Sequence, residues 1–101
     1  MKAPKFFSKI VNGKRYDVAT ATLIADDVYF DGHNMERGGR NQFLYRTPKG
    51  NYFLVTLTQW QGERDTLIPL TKTEALETWE DLPEKEVDYE VAFPGEKVED
   101  A

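Results

Sequence analysis

The sequence predicts an α+β domain, a small mostly antiparallel sheet of hairpins with two helices packed on it, and three observations carry that expectation. Asn12-Gly13, within KIVNGKRYD, is the dipeptide that suits a type I′ turn. Pro48-Lys49-Gly50-Asn51 offers turn chemistry between two aromatic and β-branched runs. Thr71-Lys72-Thr73-Glu74 is a capping box ahead of an amphipathic run. With 101 residues, 40% of them hydrophobic and 13% aromatic, the chain can bury one modest core and is too apolar for disorder.

Taken in order, the first hairpin is followed by Asp17, which stands where a helix N-cap would. Val18, Ala21, Ile24 and Ala25 then recur at helical spacing, so a short helix is expected over residues 18–26 despite its threonines. The second hairpin pairs residues 43–47 with 52–60. Phe53, Val55 and Leu57 should face the core, with Tyr52, Leu54, Thr56 and Trp60 on the other side. TLIPL reads as one more strand, which Pro69 places at an edge or at its end. In the helix that follows, Ala75, Leu76, Trp79 and Leu82 form one apolar stripe, and Pro83 closes it. Val87, Tyr89, Val91 and Phe93 alternate as in a final strand, or as an extended arm docked on a neighbour. The expected domain spans residues 1–93, with 94–101 as an acidic flexible tail.

Charge is unevenly placed along the chain. Residues 1–16 carry Lys2, Lys5, Lys9, Lys14 and Arg15 and no acid, whereas residues 74–101 carry eleven acids against Lys85 and Lys97. The formal net charge of −5 argues against a general duplex-DNA binder, because affinity for phosphate rests on lysine and arginine. Absence of cysteine removes disulfides, thiolate metal sites and cysteine nucleophiles. No apolar run is long enough for a signal h-region or a membrane span, so a cytoplasmic location is expected.

A site is expected where HNMERGGRN and QWQGERD meet, since the flanks of one hairpin share an end of the sheet. That junction gathers His33, Glu36, Arg37, Arg40 and Asn41 with Gln59, Trp60, Gln61, Glu63 and Arg64. The plainer alternative is a solvated pair of loops, in which each Glu-Arg contact contributes about 0–1 kcal/mol. For catalysis the junction offers only His33 with Glu36 or Glu63, and the one serine, Ser8, has no nucleophile-elbow context. The expectation is therefore no enzyme. No metal or cofactor is expected either: DDVYFDG has Asp27 in the first position of a calcium loop, but Tyr29 in the third and Gly38 in the twelfth. Asp26, Asp27 and Asp31 read instead as helix-end and turn residues. The arginines of RGGR, beside Tyr29, Phe30, Trp60 and Arg64, suit a single-stranded nucleic acid, provided the acidic half lies on the opposite side. Glu74, Glu77, Glu80, Asp81, Glu84, Glu86, Asp88 and Glu90 are equally able to meet a basic partner, or to form a solvated helix face.

The runs NGKRYDVATATLIA, FLYRTPKGNYFLV and IPLTKTEALETWEDL, in that order, resemble a group of small uncharacterised proteins carried by bacterial phages and mobile elements. The resemblance implies a mobile-element setting, in which small acidic proteins inhibit host defence enzymes, CRISPR effectors among them. The expected function is a non-catalytic module that binds a host protein or protein–nucleic-acid complex. A single-stranded nucleic-acid binder using the RGGR loop is the alternative, and a small hydrolase or nuclease the third.

Overall fold

Several of the chain's turns need a left-handed backbone, and residues that tolerate it stand there. In the computed structural model, which describes residues 3–27, 40–96 and 100, Asn12 and Gly13 have φ of 52° and 76°. These values fit the expected type I′ turn. It joins β1 (Ser8–Val11) to β2 (Lys14–Asp17), antiparallel with Ile10 opposite Arg15 and Lys9 opposite Tyr16. Gly50, at φ 87°, closes the second hairpin between β4 (Arg40–Arg46) and β5 (Tyr52–Thr58).

These two strands are the centre of a five-stranded antiparallel sheet in the order β6-β5-β4-β3-β7. Its outer members are β6 (Thr66–Leu70), which carries Pro69 at the sheet's edge as expected, and β7 (Glu84–Lys85). Helix α1 (Lys72–Asp81) connects those two edges. The capping box is formed: Glu74 N donates to Thr71 Oγ1 at 3.2 Å, and Thr71 N to Glu74 Oε1 at 2.9 Å.

The helix expected over residues 18–26 is instead a turn followed by β3 (Thr22–Asp26). Asp17 does cap, since Ala19 N donates to its Oδ1 at 2.9 Å, but it caps a single turn over residues 17–21. Beyond it the β-branched and apolar side chains gain more from pairing with β4 than from a short isolated helix. A register shift between Leu23 and Ala25 puts consecutive Ile24 and Ala25 into the same core cluster, which hides the strand's alternation in the sequence. Asp26 and Asp27 are therefore not helix-end residues: both are buried at the end of β3.

The expected final strand over residues 87–93 is also replaced, by the single-turn α2 (Tyr89–Ala92). In a strand, residues four apart lie about 13 Å from each other, whereas one helical turn brings them side by side. Here Tyr89 and Phe93 have ring centroids 5.6 Å apart. Phe93 enters the protein's own core and stacks on Tyr52 at 5.1 Å, and Tyr52 Oη donates to Ala92 O at 2.8 Å. Just beyond, Lys72 pairs with Glu96 at 2.6 Å.

Both faces of the sheet are covered, not the Phe53 face alone. Leu44 and Tyr52 pack with Ala75, Leu82, Ala92 and Phe93 beneath the helices. On the reverse, Phe43, Tyr45, Phe53, Val55 and Leu67 pack with Tyr16 and Val18 of the first hairpin and the turn after it. Three layers result, with the helices on one side of the sheet and the basic N-terminal hairpin on the other.

Candidate functional site

The register of β4 and β5 sets Arg40 opposite Thr58, so the start of β4 and the segment after β5 share one sheet end. Across that end Arg40 grips Glu63 with two nitrogens: Nε donates to Oε1 at 3.0 Å, and a terminal nitrogen donates to Oε2. Thr58 Oγ1 donates to the same carboxylate at 2.5 Å. The Arg40 guanidinium and the Thr58 hydroxyl hold the Glu63 carboxyl below its ordinary range, while the hydrogen bond to Glu63 raises Arg40.

The loop that carries Glu63 is built from its own backbone bonds. Trp60 N donates to Thr58 Oγ1 at 3.1 Å, Glu63 N to Trp60 O at 3.2 Å, and Thr58 N to Asp65 Oδ1 at 2.9 Å. Gly62 takes the left-handed position at φ 88°. On this frame Trp60, 43% exposed, and the exposed Gln59, Gln61 and Arg64 face solvent. The Arg40–Glu63 clamp organises this surface, and Thr58 is the clamp residue that sequence reasoning missed. Its only signal was the register, which places it across from Arg40.

Asn41 is not part of this surface. It is 2% exposed, and its Nδ2 donates to Asp27 Oδ1 at 3.1 Å, an atom that also accepts from Gln42 N at 2.8 Å. Its neighbour in sequence alternates to the other side of the strand, so only Arg40 reaches the loop. His33, Glu36 and Arg37, with the rest of the expected RGGR loop before Arg40, lie outside the described residues.

The expected acidic surface runs over α1 of the helical layer and the edge strand β7. Glu77, Glu80 and Asp81 on α1, Glu84 on β7 and Glu86 beyond it are all exposed. None has an ion-pair partner among the described residues. The nearby cation, Lys85, is committed elsewhere: its Nζ donates to the carbonyls of Glu80, at 3.1 Å, and Leu82, and lies 4.8 Å above the Trp79 ring. Among the described residues no group of His, Asp and Glu could hold a metal ion, and no helix is long and apolar enough to cross a membrane.

Comparisons with protein-family models, curated proteins and solved structures yield no match.

Proposed function

We propose that the protein is a non-catalytic binding module, a phage- or mobile-element-type inhibitor that docks its acidic helical layer on a basic surface of a host nucleic-acid-handling defence complex, such as a CRISPR effector, in the cytoplasm. The observation that carries this reading is the set of unpaired carboxylates at Glu77, Glu80, Asp81, Glu84 and Glu86. Glu80 and Asp81 occupy the last turn of α1, where negative charge opposes the helix dipole; that turn has no basic residue of its own, and Lys85 of β7 donates to the carbonyls of Glu80 and Leu82. Helix stability thus gives no reason for acids there, whereas complementarity to a basic partner does. Arg40, Glu63, Arg64 and Trp60 supply a second contact surface in which the clamp is already ordered, so little side-chain freedom is lost on binding.

The test is affinity capture from a bacterial lysate, with and without nuclease treatment. The wild-type chain should retain a basic host protein or defence complex after nuclease treatment, and a Glu77→Lys/Glu80→Lys/Asp81→Lys variant should lose it. Identical capture by both chains would exclude the acidic layer as the docking surface.

A further inference from the structure

The first hairpin and the turn after Arg46 enclose a groove of about 400 Å³ that belongs to neither surface described above. Lys14, Arg15 and Lys49 line it, together with Tyr16, Asn51 and the single carboxylate of Asp17. None of the three cations has an ion-pair partner among the described residues, in contrast to Arg40, whose guanidinium is spent on Glu63. Lys5 and Lys9 on the same hairpin segment are also exposed, with no ion-pair partner among the described residues.

The same layer exposes apolar groups that the core does not use. Phe6 is 84% exposed and Ile10 63%, although Phe7 and Val11 beside them pack against the sheet. The register sets Ile10 directly across from Arg15. Cations without ion-pair partners among the described residues, on the same hairpin as an exposed aromatic ring, suit unpaired nucleotides, the cations following the phosphates and the ring stacking on a base. A duplex would offer no open base face to Phe6. The acidic residues of α1 and α2 lie in the layer on the opposite face of the sheet, and Glu84, opposite Asp26 on the edge strand β7, is the acid that the register sets on the hairpin's side.

We infer that the N-terminal hairpin, through the groove lined by Lys14, Arg15 and Lys49 and through the exposed Phe6, binds single-stranded nucleic acid by its phosphodiester backbone. The inference places nucleic-acid binding at the opposite end of β4 from Arg40, and it uses no residue of the acidic docking surface. Its failure would therefore leave capture through Glu77, Glu80 and Asp81 untouched, and the converse also holds.

The experiment is a fluorescence-anisotropy titration of the full chain into fluorescein-labelled oligothymidine over a salt series. Binding should be saturable, with a dissociation constant of about 1–100 μM near physiological salt. Affinity should fall as salt rises, with a log–log slope of about −0.7 for each phosphate contacted. Lys14→Glu/Arg15→Glu/Lys49→Glu should flatten that slope and lower affinity at low salt by more than about 100-fold. Phe6→Ala should weaken binding by about 5- to 150-fold and leave the slope unchanged. Arg40→Ala should bind as the wild type does. All five positions are exposed, so thermal melts by circular dichroism should show each variant folded. Absence of saturable binding at low salt would overturn the inference. So would a triple variant that binds like the wild type, or retention on anionic phospholipid vesicles without any binding of the oligonucleotide.

Discussion

Replacing Phe93 with alanine tests whether the C-terminal turn belongs to the cooperative unit. The ring is fully buried, with centroids 5.1 Å from Tyr52, 5.6 Å from Tyr89 and 6.2 Å from Trp79. Truncating a buried phenylalanine costs about 3–5 kcal/mol, because transfer free energy is lost and a cavity remains. The upper part of that range is expected here, since three aromatic contacts vanish together and the helical turn carrying Ala92, which accepts from Tyr52 Oη, loosens with them. A domain of this length has about 5–15 kcal/mol in total, so the variant should be close to unfolding at 37 °C if the wild type lies at the low end. Urea unfolding followed by far-ultraviolet circular dichroism and by tryptophan fluorescence should show the loss, with the two probes coincident. Val91→Ala, in the same turn but exposed, should change stability by less than about 0.5 kcal/mol. A loss below about 1 kcal/mol for Phe93→Ala would refute the packing argument and mark residues 89–93 as an arm independent of the sheet.

Tyr45 should give the fold an alkaline limit. Burial, and secondarily the Asp26 carboxylate, push its hydroxyl up to about 12, so the unfolded chain releases this proton first. Stability is fully present below the unfolded value near 10 and should fall by about 2 kcal/mol as pH rises towards 12, a loss that Tyr45→Phe should remove from urea midpoints. Thr71→Ala removes the acceptor for Glu74 N and should cost about 1 kcal/mol by the same unfolding assay, with Thr71→Ser restoring most of it. Arg40→Ala and Trp60→Ala should each weaken host-protein capture while leaving the thermal midpoint nearly unchanged, because both side chains are substantially exposed. A large drop in midpoint would show instead that the clamp serves the fold.

The parts of the fold that could be read in the sequence are those whose cause is local. Asn12-Gly13, the turn around Gly50 and the Thr71/Glu74 box each require particular residues at particular backbone angles, and each is found where it was expected. The segment around β3 was misread because its signals conflict: Asp17 caps a turn, and the register shift places Ile24 and Ala25 together in a pattern that mimics a helix. The C-terminal segment was misread because alternation and a single turn leave the same residues apolar, and only the ring contacts among Tyr52, Tyr89 and Phe93 distinguish them. At the candidate site, the meeting of Arg40 with the Glu63 loop followed from hairpin geometry. The burial of Asn41 did not, since it depends on Asp27, which the expected helix would have carried elsewhere. The groove at Lys14, Arg15 and Lys49 joins two turns distant in sequence, although the acid-free N-terminal run was already a hint.

The three-layer arrangement also bears on how this protein can change over generations. The carboxylates of α1 and the cations of the hairpin are exposed to solvent, and most of them support no neighbour among the described residues. Substitutions at such exposed positions usually move stability by less than about 0.5 kcal/mol. If each outward face binds as proposed, it can therefore be rewritten towards a new partner without touching the sheet between them. Under the proposed binding modes, retargeting would be a matter of surface charge, and a lineage of such chains could change what it recognises while keeping the same strands and helices.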